Sequence, residues 1–411
     1  FFKQKTAYEI KECDWSSDVC SSDLTPDASS VPRVFVTHEW HIKEEIIAPH
    51  RNRNGSGLVR RLAESARKKG AQILCSHEMT RIVRDDGKGR VRGIVVRHGG
   101  KDVAIEAKKG VVIATGGHTG NVQFRRMFDP RLTEEYQQAG MPWTEQGADG
   151  ELAAMDIGAS LWAAATQTQE VGPAITKTKH IGNRWGYISL VYETDSPIFD
   201  RAKATGLTVT DWQECILVNQ FGKRFWNELD SGYEFINAAM QNHGDGDKLN
   251  CGGPIWAIFD SDAAARQKWN CKPPNVDPDG WFFTADTVFE LAGKIRNPHQ
   301  KKPMDGAQLQ ETVNRYNWFV AMGTDIDFGK QTPLHPIAKP PFYAAWSTPI
   351  LHDTLTGLRT DTNAQVMDTR GEVIQGLYCA GESQGGFAQH GLGRCLVFGR
   401  VAGRHAAQRN S

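Results

Sequence analysis

The residues with most chemistry in them lie near the C-terminus, in Gly376-Leu-Tyr-Cys-Ala-Gly-Glu382-Ser-Gln-Gly-Gly386-Phe-Ala-Gln-His390-Gly-Leu392-Gly-Arg-Cys-Leu-Val-Phe398-Gly-Arg400-Val-Ala-Gly403. Glu382 offers a carboxylate that can accept hydrogen bonds from ligand hydroxyls. The glycines after it let backbone approach a ligand closely. Residues 377–379 read as a short apolar strand, and Ala380-Gly381-Glu382 as a tight strand exit. From about Gly391, Leu392, Leu396, Val397 and Ala402 recur at helical spacing, so a final helix begins there. Its N-terminus aims free amides and a positive dipole end at whatever precedes it. His390 sits at that start and is a local candidate for contacting ligand or substrate. The same pattern also describes an ordinary glycine-rich loop ahead of a helix.

A second constellation precedes it. Lys109-Gly-Val-Val-Ile-Ala-Thr115-Gly116-Gly117 is a buried strand ending in Ala-Thr-Gly-Gly. Gly147-Ala-Asp149-Gly150 then leads into an apolar helix over residues 152–159, with Asp149 either its N-cap or a ligand contact. A reduced flavin suits these surroundings, because it carries negative charge at its pyrimidine edge and proteins tune it with charge or donors there. Glu382 would accept hydrogen bonds from the ribityl hydroxyls.

In order along the chain, these motifs resemble the fumarate reductase/succinate dehydrogenase flavoprotein superfamily (FAD-binding type 2), which also includes 3-ketosteroid dehydrogenases and tricarballylate dehydrogenase. The likeness extends upstream to about Gly57. It implies FAD as cofactor, Glu382 on the ribityl chain, and the amides of Gly391 and Leu392 on the pyrimidine carbonyl. It implies backbone at Thr115 and Gly116 beside the cofactor, Asp149 against the ribityl chain, and backbone around Met79 and Thr80 near the adenine. The implied fold class is α/β: a Rossmann-like FAD-binding domain with an inserted α+β capping domain.

Such flavoproteins open with strand, GxGxxG, helix and an acidic residue for the adenosine ribose. That fingerprint does not occur here, so the first βαβ unit is expected to be missing. KQKTAYEI over residues 3–10 and CDWSSDVCSSDL over residues 13–24 read back into codons as two blocks of a common sequencing-library adapter. Residues 1–24 are therefore expected to be translated adapter and not native protein, and are set aside. The expected division is 25–163 for the first part of the FAD-binding domain, 164–350 for the substrate cap, and 351–411 for the second part.

Removing that segment leaves about 387 residues, enough for two domains with proper cores. Three of the 48 basic and five of the 48 acidic residues lie in it, leaving 45 and 43. A near-neutral balance gives no reason to expect nucleic acid or an anionic membrane as partner. The remaining Cys75, Cys215, Cys251, Cys271, Cys379 and Cys395 form no CxxC or CxxCH, which argues against zinc or attached haem and for a reducing compartment. No metal site is expected. No run approaches 18 apolar residues, so no membrane span is expected, and the expected location is cytoplasmic, a leader on the native N-terminus being left open.

Elements positioning the first motifs are legible in outline. Residues 57–69 form an amphipathic helix with Leu58, Leu62 and Ala66 on one face, capped by Gly70. Residues 71–75 read as a strand. Residues 77–83, 91–97 and 103–107 read as a meander with turns at Asp85-Asp86-Gly87 and Gly99-Gly100.

The cap region holds Trp185, Trp212, Trp226, Trp256, Trp269, Trp281, Trp318 and Trp346, most of them core by expectation. In the resembled family this region closes over substrate and excludes water. Residues 216–228 match its hairpin, with Arg224 and Glu228 as a structural ion pair. Fumarate reductases carry a proton-donating arginine four residues beyond that glutamate, where this chain has Gly232. Tyr233 is then the candidate acid/base. Its unperturbed pKa of about 10 would need electrostatic help near neutral pH. An exposed tyrosine starting a helix over residues 234–241 is the alternative. His352 falls where fumarate reductases hold a substrate carboxylate, and the following Gly-Gly is Thr356-Gly357 here. Between Gly386 and Gln389 the resembled family has a loop that carries a carboxylate-binding arginine; that loop is expected to be deleted here, and Arg394 is not its replacement.

The expected activity of the parent protein is an FAD-dependent oxidoreductase. It would transfer a hydride between a substrate CH–CH or C=C bond and flavin N5, on a small molecule other than fumarate or succinate. The Trp-rich cap hints at an apolar or cyclic substrate, and the electron acceptor is unspecified. Two alternatives stand: a flavin-fold binding protein without turnover, and an inert truncated fragment with an exposed sheet edge.

Overall fold

The computed structural model describes residues 55–128, 132–135, 137–138, 146–163, 180–183, 203–209, 211–230, 253–348, 350–351, 354–386 and 391–408. The chain divides into two compact units, Phe1–Cys75 and Ser76–Ser411.

In the first unit, helix α1 (Gly55–Lys68) ends with Arg67 and Lys68 in its last turn, where cations suit the dipole. Gly70 stops it at φ +92°, its amide donating to the Arg67 carbonyl. The strand expected over residues 71–75 does not form. Those residues have no ladder partner among the described residues, and Ile73 and Leu74 stay 44% and 53% exposed. An apolar run becomes a strand only where another strand completes its hydrogen bonds.

The second unit opens with the expected meander: β1 (Glu78–Arg84), β2 (Val91–His98) and β3 (Lys101–Glu106), all antiparallel. Gly99 and Gly100 both take positive φ, +57° and +77°, as a two-residue hairpin turn of matching twist requires. Strand β4 (Val111–Ile113) follows, then helix α2 (Val122–Arg126), strand β5 (Gln137–Gln138), helix α3 (Asp149–Met155) and strand β6 (Leu161–Trp162). Helix α3 starts three residues earlier than expected. It also stops four earlier, because the chain turns at Gly158 with φ +95°. Its N-cap is Ala148, in the left-handed region at φ +66°, and not Asp149, which lies inside the first turn. A Gly-Ala-Asp-Gly turn can supply that conformation without a capping side chain.

The middle of the chain is a separate layer. Strands β7 (His180–Asn183) and β8 (Lys203–Thr208) pair antiparallel. Next come β9 (Ile216–Val218), β10 (Trp256–Asp260), helix α4 (Ser261–Gln267), β11 (Phe282–Ala285), helix α5 (Val288–Lys294), helix α6 (Gly306–Met322) and β12 (Phe342–Trp346). The four longer-range strands form one antiparallel sheet in the order β11-β12-β10-β9. Period-two alternation divides its side chains between two cores. Trp256 and Ile258 join Leu291, Leu309, Val313 and Tyr316 of α5 and α6 on one face; Ala257 and Phe259 join Leu207, Phe225 and Phe282 on the other. Trp256 and Trp346 are fully buried and Trp281 nearly so, but Trp318 is 49% exposed, and Trp185 lies outside the described residues.

A cluster of buried charges locks this layer. The Arg224 guanidinium meets Glu228 at 2.9 and 3.0 Å and Asp325 at 2.9 Å, confirming the expected ion pair. Lys330 Nζ lies 3.3 Å from Glu228 and donates to the Trp212 and Cys215 carbonyls at 3.0 and 3.1 Å. Around Gly222, at φ +77°, the hairpin closes only as a single bridge between Val218 and Arg224.

The chain then runs through β13 (Ile350–Leu351), β14 (Gly357–Leu358), β15 (Gln365–Met367), β16 (Val373–Cys379) and helix α7 (Leu392–Gln408). Strand β13 adds to β5 in parallel and β14 to β6 antiparallel. Strand β16 pairs antiparallel with β15 and parallel with β4, placing Leu377 beside Val111 and Cys379 beside Ile113. That parallel pair brings the two glycine motifs together although more than 260 residues separate them.

Candidate functional site at the ends of two parallel strands

Parallel strands present their C-terminal ends on one side, and in open α/β sheets ligands bind outside those ends. Here the ends belong to β4, which runs into Thr115-Gly116-Gly117, and β16, which runs into Ala380-Gly381-Glu382. The pairing continues past Cys379, since the Ala380 amide donates to the Ile113 carbonyl at 2.9 Å. Ser383 Oγ donates to the Gly116 carbonyl at 2.6 Å and lies 3.2 Å from Thr115 Oγ1. Thr115, Gly116 and Glu382 are thus brought together.

Two glycines there are required. Gly116 has φ +90° and open space on its Cα, the conformation and clearance for backbone to face a ligand. A Cβ on Gly117 would collide with Thr354 Oγ1 and the Glu382 carboxylate. Glu382 itself is half-buried. Its Oε1 accepts from the Thr354 amide and from Thr354 Oγ1, both at 3.1 Å, while Gln146 Nε2 approaches Oε2 at 3.5 Å. Thr119 Oγ1 bonds Gln146 Oε1, and Asn121 Nδ2 donates to the Gly147 carbonyl at 3.0 Å. Side chains following Gly117 therefore hold the turn that precedes α3.

Helix α3 packs directly on the exit of β4, a Cβ on Gly150 having no room against Thr115 and Ile113. This leaves Asp149 exposed beside the strand ends. Gly391 takes φ +78° with open space around it, and Leu392 opens α7 at 54% exposure. Met79 is elsewhere: its side chain packs on the core formed by Ile82, Val91, Ala154 and Leu377. A register irregularity between Met79 and Arg81 leaves Thr80 out of the ladder. Tyr233, His352 and His390 lie outside the described residues.

Four residues at the site carry interactions that spacing did not reveal. Thr354 was passed over within the return segment, and Gln146 within a polar turn. His118 and Glu151, both fully buried, lie 4.0 Å apart between Nδ1 and Oε1. Among the described residues, neither ring nitrogen and neither carboxylate oxygen meets hydrogen-bond geometry with a neighbour. Burial pushes the His118 pKa down to about 3, with Arg125 adding to it. Burial pushes Glu151 up to about 8, its own backbone amide opposing and Asp149 adding. Both are held neutral. A polar residue just after Gly-Gly, and an acid just ahead of the apolar helix expected over residues 152–159, were the only signals.

Open glycines at the strand ends, the Glu382 carboxylate beside them and a helix start just after Gly391 together fit a flavin dinucleotide. The sequence profile of the FAD binding domain family (FAD-binding type 2) matches residues 32–393. The chain belongs to that family. Its cofactor is FAD. It is 29% identical to an NADH:acrylate oxidoreductase of Vibrio harveyi over 86% of this chain and 32% of that protein. It is 29% identical to a fumarate reductase (cytochrome) of Shewanella frigidimarina over 87% of this chain and 56% of that one. Among solved structures, it resembles 3-ketosteroid delta1-dehydrogenase of Sterolibacterium denitrificans, in complex with 1,4-androstadiene-3,17-dione. That match has TM-score 0.57 and 25% identity over 85% of this chain and 62% of that one. The FAD-binding fold is common to all of these, and the chain spans less than two thirds of each. Among the described residues, no helix is long and apolar enough to cross a membrane.

Proposed function

We propose that the parent protein is an FAD-dependent oxidoreductase acting on a CH–CH or C=C bond of a small molecule. The observation that carries this reading is the junction of β4 and β16, where Gly116 and Gly117 meet the Glu382 carboxylate. When bound, FAD supplies the hydride acceptor or donor at its N5. Glu382 Oε2 would accept from the ribityl chain, Asp149 would add a second contact, and the amides at Gly391 and Leu392 would face the pyrimidine carbonyl. Backbone at Thr80, released from its ladder, suits contact with the adenine. Tyr233 would handle the substrate proton, with His352 and His390 binding substrate or flavin.

The names of the relatives support two substrate classes, short unsaturated acids and cyclic ketones. The Gly232 position and the shortened loop before Gln389 favour the second, because the proton-donating arginine and the carboxylate-binding arginine of fumarate reductases have no counterpart there. We further propose that the parent carries a dinucleotide-binding βαβ unit beside β4. Among the described residues β4 pairs on one edge only, Val112 is 41% exposed, and Leu392, Leu396 and Val397 of α7 are each more than half exposed. An exposed parallel edge flanked by apolar helix surface suits another strand and helix.

The test is anaerobic reduction of the FAD-loaded protein by cyclic ketones and by saturated dicarboxylates, followed by flavin absorbance. Bleaching by a cyclic ketone alone is expected. Bleaching by succinate alone overturns the substrate class, and failure to take up FAD overturns the site.

A further inference from the structure

Helix α7 begins at Leu392, and its third residue is Arg394, 3% exposed. Both terminal nitrogens of this guanidinium donate to the Thr354 carbonyl, at 3.2 and 3.1 Å. A buried arginine in the first turn of a helix is an odd choice for stability. The dipole there favours negative charge. The Thr354 carbonyl is a neutral acceptor and takes two bonds from the one guanidinium. What the arrangement does secure is the position of Thr354. That residue is fully buried, and its amide and hydroxyl both converge on Glu382 Oε1 at 3.1 Å. Gly117 fills the remaining space beside both groups, so neither has another place to turn. Oε1 thus accepts two bonds from one residue.

We propose that Arg394 is a positioning residue: through Thr354 it orients the Glu382 carboxylate for the cofactor. Thr354 also lies where the chain returns from the Trp-rich layer, through β12 and β13, to the FAD-binding sheet. The relay therefore joins three stretches of chain at the cofactor: the start of α7, the return segment and the exit of β16. A shift of the return segment moves the Thr354 amide and hydroxyl, and with them the carboxylate. The proposal rests on the reading of Glu382 as the ribityl contact.

The experiment is FAD titration of the full chain, followed by flavin fluorescence, for wild type, Glu382→Gln, Thr354→Val, Arg394→Lys and the double variant Arg394→Lys/Glu382→Gln. Thr354→Val keeps shape and removes one of the two bonds to Oε1. Arg394→Lys keeps the charge and loses the paired geometry. Each single variant is expected to weaken FAD binding roughly tenfold or more, the scale of one hydrogen bond to a charged group. In the Glu382→Gln background, Arg394→Lys is expected to add less than about a factor of two, because the group it positions is already compromised. A full additional loss in that background overturns the relay, as does an unchanged affinity in Thr354→Val. An unchanged affinity in Glu382→Gln overturns the underlying reading of Glu382 instead. Should the chain not retain FAD at all, the same double-mutant cycle is read by thermal melting of the free protein. Additive melting shifts overturn the relay there, and coupled ones sustain it. If Arg394→Lys gives no cooperative melt, Thr354→Val with Glu382→Gln forms the cycle.

Discussion

Replacing Glu151 by glutamine tests how this fold treats a buried acid. In the unfolded chain a glutamate titrates near its ordinary value of 4.5; burial raises Glu151 to about 8 in the folded protein. Over that interval the folded state holds a proton that the unfolded state has released, so stability falls as pH rises, by about 1.4 kcal/mol per unit. His118 acts in the opposite direction. Its ordinary value of 6.5 drops to about 3 on folding, so stability falls as pH drops through that range. Between pH 4.5 and 6.5 the two slopes oppose and largely cancel. Between 6.5 and 8 Glu151 acts alone, and its contribution over those 1.5 units is about 2 kcal/mol. Urea denaturation at half-unit steps from pH 6.5 to 8, at fixed FAD concentration, is the assay. Wild type is expected to lose about 2 kcal/mol across the window and Glu151→Gln to stay level, since a glutamine amide does not titrate. A level wild-type curve, or a Glu151→Gln curve that keeps the slope, refutes the picture of an acid held neutral by burial.

Other outcomes follow from the same reasoning. Lys330→Met removes one of the cations facing buried Glu228, whose pKa sits at about 2 because the Lys330 and Arg224 charges outweigh the upward push of burial. The loss expected by denaturation is about 3–5 kcal/mol. In wild type the Glu228 contribution is complete above pH 4.5 and lost as pH falls toward 2. Gly117→Ala puts a methyl group against Thr354 and Glu382, so FAD affinity should drop at least tenfold, and titration alongside thermal melting would separate that from unfolding. Asp260→Ala removes the acceptor for the Ala263, Ala338 and Lys339 amides at 2.9–3.0 Å, with an expected loss of roughly 2–4 kcal/mol in urea melts.

The meander, the last strand and the final helix were legible because each carries a local signal: period-two alternation, an apolar run before Ala-Gly-Glu, and helical spacing after Gly391. The coming together of Gly116 and Glu382 was legible only through resemblance, since nothing local pairs residues so far apart. Residues 71–75 misled because apolarity reports burial and not the presence of a ladder partner. Asp149 misled because a left-handed Ala148 can start a helix that an Asx side chain would otherwise cap. Thr354 was hidden for a different reason. Its role lies in two hydrogen bonds to one oxygen, and threonine at a strand end has no spacing to betray it.

The fold treats buried charge in two opposite ways, and the contrast separates scaffold from site. In the Trp-rich layer Arg224, Lys330, Glu228 and Asp325 are buried together, each with a counter-charge within 3.3 Å. Every charge in that network meets its counter-charge in the free protein. At the strand ends the polar groups are arranged differently. Glu382 holds Thr354 on Oε1 and Gln146 at 3.5 Å from Oε2, and His118 and Glu151 stand neutral at 4.0 Å. Desolvated polar groups without full partners cost stability in the free protein. A ligand with matching donors and acceptors would recover that expense, which is the physical basis for the site proposed at these strand ends. The same logic explains why the cap gives so weak a hint of substrate: among the described residues its buried charges already pair with one another, and Trp256, Trp281 and Trp346 pack together in its core.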